Sequence, residues 1–352
     1  MKLSRPAALT RRPRMEVVVP CYNYGKFLPS CVASILAQPH IDVTVTIVDD
    51  ASPDGSGAVA DELASRDRRV KVLHNTTNLG MIGTFNRGIS QVDSDYLLLI
   101  SADDMVAPGA LTRAAALMDR HPDVGLVYGH AQKFATEPVP HRPYPAVSWT
   151  TWRGDDWIEL QLRRAWSGIS SPEAVVRTTV QHQAGLYDPS LPHTLDVEMW
   201  LRIAAISDVG HINGVDQAYY RRQDTSYSSA FGIYQDIEER WQAYDRFLSG
   251  WARTARAAEL RPRVRRTLAD EALFALLQDL EGGAGPNAQA IDEVLALARR
   301  VDPDAPRSAL WSDVAAHRGA DAVGRGRARR SAVRALARRS RWQRWRRARY
   351  FG

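Results

Sequence analysis

Between residues 15 and 130, short apolar runs alternate with segments whose apolar residues recur at helical spacing. No other feature constrains the fold as strongly. Met15–Val19 is one such run, stopped by Pro20, and Phe27, Leu28, Cys31, Val32, Ile35 and Leu36 follow at the helical period. Val43–Val48 interleaves Val and Ile with Thr, a β-branched strand pattern. Ser56–Arg66 then reads as helix, Val70–Leu73 as strand, Met81–Gln91 as helix and Tyr96–Ile100 as strand. A helix opened by Pro108 reaches about Arg120, and Val124–Tyr128 is the next strand. Strands apolar on both faces and joined by helices predict an α/β fold, a mainly parallel sheet flanked by helices. Such sheets bind ligands beyond the carboxyl ends of their strands. The polar clusters fall there: Cys21–Asn23 after the first strand, Asp49–Asp50 after the second and Ser101–Asp104 after the fourth.

Beyond this region the pattern changes. Residues 131–165 are rich in Pro and Trp and read as a loop or lid. Leu195–Ile206 reads as a helix, and 233–317 as several helices with a Gly-rich break at Gly282–Gly285. The expected organisation is a basic extension (1–14), an α/β domain (15–232), a helical region (233–317) and an Arg-rich tail (318–352).

Charge and cysteine content narrow the function classes. The 352 residues carry a net charge of +6, yet residues 1–14 hold +5 and residues 318–352 hold +12, which leaves the body at −11. An acidic body argues against nucleic-acid binding. It tolerates a phosphorylated ligand if a cation bridges the two. Two cysteines, Cys21 and Cys31, without zinc spacing point to a reducing, cytoplasmic compartment rather than a disulfide scaffold. No apolar run approaches the ~18–20 residues of a membrane span, and the basic start lacks the apolar core of a secretory signal.

Several residues carry two readings each. Asp103–Asp104, directly after an apolar strand, suit a divalent cation (Mn²⁺ or Mg²⁺) or a solvated turn, with equal weight. Asp49–Asp50 accept hydrogen bonds from a base or ribose, or form an Asx-turn. Tyr22 stacks on a base or packs. Asp196 and Glu198, two positions apart at the start of a helix, point to different faces, so one at most faces a shared site. Asp196 is either a general base or a partner of the helix dipole. The pair Arg221–Arg222 suits phosphate, or is a solvated patch.

The ordered segments VVVPCYN, TIVDDAS, NLGMIGTFNRGI, LLLISADD, TLDVEMWLRIA and YYRRQDTSYS resemble the family 2 inverting glycosyltransferases, which have the GT-A fold. The resemblance covers about residues 15–230. It implies transfer of a sugar from a nucleotide-diphosphate donor, UDP- or dTDP-linked, to an acceptor hydroxyl, with inversion and no covalent intermediate. It also implies site roles. Pro20, Tyr22, Asn23, Asp49, Asp50 and Asn78 would surround the nucleotide, and Asp103 would meet the ribose or the metal's water shell. Asp104 would hold the cation, Asp196 would be the base, and Arg222 and Gln223 would lie near the diphosphate. Three positions depart from the family pattern. Ser101 stands where Asp is common, Leu195 where Glu precedes the base, and Gln223 where His is frequent. Acceptors implied by the family are lipid carriers, polysaccharides or small metabolites. The tail at 325–349, interleaving Arg with Trp342 and Trp345, is either a basic helix for an anionic membrane surface or a solvated end. The alternatives are a sugar-phosphate nucleotidyltransferase, for which PCYNYGKF is a poor triphosphate loop, and a non-catalytic nucleotide-sugar-binding protein.

Overall fold

The computed structural model describes residues 1–136, 146–165, 167–223, 232–281 and 288–317. The chain forms two compact units, Met1–Ile158 with Ile169–Ala230, and Glu159–Gly168 with Phe231–Gly352.

The first unit is built on a ten-stranded sheet. Its strands are β1 (Lys2–Ser4), β2 (Arg14–Cys21), β3 (Asp42–Asp49), β4 (Val70–His74), β5 (Tyr96–Leu99), β6 (Met105–Val106), β7 (Val124–Phe134), β8 (Ser148–Trp152), β9 (Val175–Arg177) and β10 (Asp208–Arg221). They lie in the order β1-β8-β10-β7-β9-β5-β2-β3-β4, with β6 paired to β10. Strands β4, β3, β2 and β5 are mutually parallel, with Val17 beside Val45 on one flank and Leu98 on the other. Helices α1 (Leu28–Leu36), α2 (Ser56–Arg66) and α3 (Gly80–Ile89) make the crossovers, and α4 (Ala110–Arg120) leads into β7. Val17, Val18 and Val19 are all fully buried, as expected of a strand covered on both faces. Helix α3 sits hard against β2: a Cβ on Gly88 would fall 2.4 Å from Val18 Cγ1. The expected mainly parallel, helix-flanked sheet is the observed one.

Two expectations are corrected. The stretch read as a loop or lid at 131–165 contains the end of β7, all of β8 and α5 (Gly154–Arg164). β8 gains its order from β10, which it pairs antiparallel from Val209↔Trp152 to Asn213↔Ser148, and from Trp149, buried in the core. That partner is some 60 residues away, so local composition did not reveal it. Residues 137–145 lie outside the described set. The first 14 residues are likewise more than a basic extension. β1 pairs with β8 at the sheet edge, and Arg11 bridges Asp95 at 2.8 Å and Asp119 at 2.9 Å.

The unit is completed by α6 (Thr178–Ala184) and α7 (Leu195–Ala204). The second unit packs α8 (Ile233–Gly250), α9 (Thr254–Glu281), α10 (Ala288–Val301) and α11 (Ala309–Ala315) together. Inside it, buried Arg240 pairs with Asp236 at 2.8 Å and with Glu271 at 3.2 Å. Among the described residues no helix is long and apolar enough to cross a membrane. The Arg-rich tail and the Gly-rich break lie outside the described residues.

Candidate active site

The acidic pair sits where β5 ends. After Leu99 the chain turns through Ser101–Asp104, closed by a hydrogen bond from the Asp104 N–H to the Ser101 carbonyl. It then enters β6, which pairs antiparallel with β10. That pairing brings the end of β10 onto the turn. The Arg221 N–H donates to Asp104 Oδ1 at 2.8 Å, its Nε donates to the Asp103 carbonyl at 2.9 Å, and Gln223 Nε2 donates to Asp103 Oδ2 at 2.7 Å. The Arg221 guanidinium lies between the rings of Phe27 and Phe134, 4.6 and 4.5 Å from their centroids. Arg222 is exposed, and its N–H pairs with the Phe134 carbonyl. Alternation along β10 turns Arg221 inward with Tyr219, beside the acidic pair, and leaves Arg222 outward, while Gln223 lies against Asp103.

Burial raises the pKa of Asp103. It raises that of Asp104, 2% exposed, further still, and the neighbouring carboxylate adds to the effect. Two like charges held together in this way would be relieved by a cation. Among the described residues no three His, Cys, Asp or Glu side chains converge to hold a metal by themselves. Two hard carboxylates completed by phosphate oxygens and water nevertheless fit Mg²⁺ or Mn²⁺, which keep open positions of that kind. The residues present fit the expected cation as a shared site.

The second acidic pair is internally bonded. Asp50, 2% exposed, accepts from Asn75 Nδ2 at 2.5 Å and from the Leu79 N–H at 2.7 Å. Asp49 accepts from the Ser52 N–H and meets His74 Nδ1 at 3.2 Å, while His74 Nε2 meets Asp61 at 3.0 Å. These two carboxylates, Asp61 foremost, raise the pKa of His74. The pair therefore ties the end of β3 to the loop after β4. Pro20 is partly exposed in β2, beside Val48. Tyr22 is 44% exposed at the end of β2, open for stacking. Asn23 follows at φ 59°, its N–H donating to Ser52 Oγ. Asn78 accepts from the Gly80 N–H at 2.8 Å, an Asx-turn that opens α3.

Asp196 begins α7. Its Oδ2 accepts a hydrogen bond from Ser171 Oγ, the phenol of Tyr187 faces the same carboxylate, and Oδ1 is buried with no hydrogen-bond partner. Burial raises its pKa. Glu198 turns away, as two-residue spacing requires, and is gripped by Arg202 Nε at 2.8 and 2.9 Å. Ser171 belongs to a 3₁₀ turn, Ser171–Glu173, that lies against β5, β6, β7 and β10. The turn therefore joins the element beside Asp104 to the carboxylate of Asp196. Tyr187 is held from α3: Asn86 accepts from its N–H at 2.8 Å and donates to its carbonyl at 2.9 Å, and Phe85 meets its ring edge-on. Ser171, Tyr187, Glu173 and His74 were not singled out in the sequence, whereas Arg221 was named there as one of a pair with Arg222.

The first unit is an α/β domain whose sheet carries acids at the tip of β5, and the turn Ser171–Glu173 against that strand bonds a further acid, Asp196. Residues 16–170 match the family model described as glycosyl transferase family 2. Glycosyltransferase GlyG of Streptococcus pneumoniae serotype 4 is 40% identical over 92 residues, 26% of this chain and 31% of that protein. The chain spans less than a third of the length of the first curated relatives it matches. Among solved structures, S. aureus TarS 1-349 in complex with UDP-GlcNAc superposes with a TM-score of 0.60 at 17% identity, over 85% of this chain and 91% of that one. The mannosyltransferase PcManGT from Pyrobaculum calidifontis, in complex with GDP-Man and Mn²⁺, gives a TM-score of 0.51 at 17% identity, over 90% and 89%.

Proposed function

We propose that this chain is a metal-assisted inverting glycosyltransferase that moves a sugar from a nucleotide-diphosphate donor to an acceptor hydroxyl. One observation carries the reading. The turn Ser171–Glu173, which lies against β5 and β6, also bonds the carboxylate of Asp196, so acids suited to two different tasks share one framework.

The donor is UDP- or dTDP-linked in this reading. Tyr22 stacks on the base, with Pro20, Asn23, Asp49, Asp50 and Asn78 shaping the surrounding loops. Asp103 and Gln223 meet the ribose and diphosphate side, and Arg221 braces the acidic turn. Asp104, with Asp103, would hold the divalent cation. When bound, that cation supplies positive charge to the departing diphosphate. Asp196 takes the acceptor proton. Its raised pKa makes it a better base than a solvated Asp. The acceptor oxygen forms the new bond to the anomeric carbon as the old carbon–oxygen bond breaks, its electron pair leaving on the diphosphate. One in-line displacement inverts the centre and needs no enzyme nucleophile.

Two neighbours support the donor class, since one is in complex with UDP-GlcNAc and the other with GDP-Man and Mn²⁺. The acceptor class proposed is a lipid-linked, polysaccharide or small-metabolite hydroxyl, met in the cytoplasm. The Arg-rich 318–352 tail contributes contact with an anionic membrane face. Equal, negligible liposome co-sedimentation of the full chain and a 1–317 form would end that last part. The main test is a panel of UDP-, dTDP- and GDP-sugars scored by thermal shift and by release of nucleoside diphosphate, with and without Mn²⁺. Mn²⁺-dependent stabilisation by one donor, followed by slow turnover, is expected. No donor binding in either condition refutes the reading.

A further inference from the structure

We infer that Ser171 is a positioning residue for Asp196: its hydroxyl donates to Oδ2 and, with the Tyr187 phenol, fixes the orientation of the carboxylate. The inference rests on the transferase reading for its catalytic meaning, while the hydrogen-bond placement stands independently of it.

The geometry is specific. A carboxylate free at both oxygens samples rotamers and can present either atom. Here Ser171 Oγ donates to Oδ2, and Oδ1 is buried without a partner. The Tyr187 phenol hydrogen-bonds the same carboxylate, so two hydroxyls hold it in place. Ser171 is itself held. Glu173 Oε1 accepts from the Ser170 N–H at 2.9 Å, closing the turn from below, and the Ala174 N–H bonds the Ser171 carbonyl at 3.2 Å. Three elements converge on the carboxylate: the Ser171 turn, the loop carrying Tyr187, and α7. The titratable groups facing Asp196 are Tyr187 and His193, while Glu198 on the same helix is turned to Arg202. Tyr187 is fixed by α3 through Asn86, so a second element supports the carboxylate.

A hydrogen bond to the ionised form favours that form, so Ser171 opposes the effect of burial on Asp196. Removing the hydroxyl therefore makes the base protonate at higher pH. The test compares Ser171→Ala and Ser171→Thr with the native chain in two measurements. The first is a ¹³C NMR titration of the Asp196 carboxyl, its resonance identified by loss in Asp196→Asn. The second is the pH profile of donor turnover. In Ser171→Ala the titration midpoint and the acidic limb of kcat should both move up by about one pH unit, with donor KM unchanged. This gives up to about tenfold lower kcat at pH values below both midpoints, recovered above them. Ser171→Thr, which keeps the hydroxyl, should restore both. A midpoint that does not move in Ser171→Ala overturns the inference, including the case where only the melting temperature falls. If the midpoint moves but the native chain turns over no nucleotide sugar, the placement of Asp196 stands and the transferase reading fails.

Discussion

Arg221 and Asp104 lie 117 positions apart in the chain and are joined by a hydrogen bond of 2.8 Å, from the main-chain N–H of the last residue of β10 to the side-chain carboxylate of Asp104 in the turn that ends β5. The bond uses the main chain of Arg221, so it survives a change of side chain. The guanidinium adds a second anchor through the Asp103 carbonyl and the two aromatic rings. Arg221→Lys keeps the first and loses most of the second. It should lower unfolding stability by about 1–3 kcal/mol, read as a shifted urea midpoint at constant slope.

The pKa of Asp104 is raised by burial and by Asp103 beside it. An acid raised in the folded state stabilises most at low pH and loses that contribution as pH rises through its folded value. Asp104→Asn removes the repulsion. The variant should melt higher than the native chain near pH 8 without divalent ions, yet show no Mn²⁺-dependent shift and about 10²-fold or lower turnover. A native-like Mn²⁺ response in the variant would remove Asp104 as a ligand.

Glu173 offers a cleaner titration. Burial pushes its carboxyl up to about 8 from the ordinary 4.5, and Oε2 has no hydrogen-bond partner. Its contribution to stability is complete below pH 4.5 and is lost as pH climbs through about 8. Glu173→Gln retains an acceptor for the Ser170 N–H and cannot ionise. Denaturant midpoints measured from pH 5 to 9 should fall less steeply for the variant, so that it gains on the native chain at the alkaline end.

His74 carries the same sign for the opposite charge type. Held between Asp61 and Asp49, its pKa is raised from 6.5. The gain is therefore present below pH 6.5 and disappears as pH passes the raised value. His74→Ala should be less stable than the native chain at pH 5.5, with the gap narrowing by pH 9. A gap independent of pH would show that packing alone is at work.

Gly88 tests the seat of α3. A methyl group there would meet Val18 and Val48 in the sheet. Gly88→Ala should cost about 1–3 kcal/mol, measured by thermal or urea unfolding, because neither strand can retreat from its neighbours.

The parallel half of the sheet was legible because its signal is local. Val17–Val19, Val43–Val48 and Tyr96–Leu99 are short, largely apolar runs, and each is followed within a few residues by the polar cluster it carries at its carboxyl end. Asp49, Asp50, Asp103 and Asp104 could be named as strand-end residues on that ground alone. β1 and β8 were not legible in this way. Their order comes from an edge pairing between residues about 150 positions apart, and neither segment has a strong period of its own. The place of Arg221 beside Asp103 follows only once the phase of β10 is known.

The amino-acid pattern by itself determined the class of fold, the strand ends that bear acids and the presence of a separate carboxylate at Asp196, since these follow from hydrophobic periodicity and from turns made by neighbouring residues. Which oxygen of Asp196 is bonded, which arginine braces Asp103, and how Asp49 and Asp50 spend their hydrogen bonds were decided only when distant segments met. Hydrogen bonding and burial act over a few ångströms of space, whatever the separation along the chain.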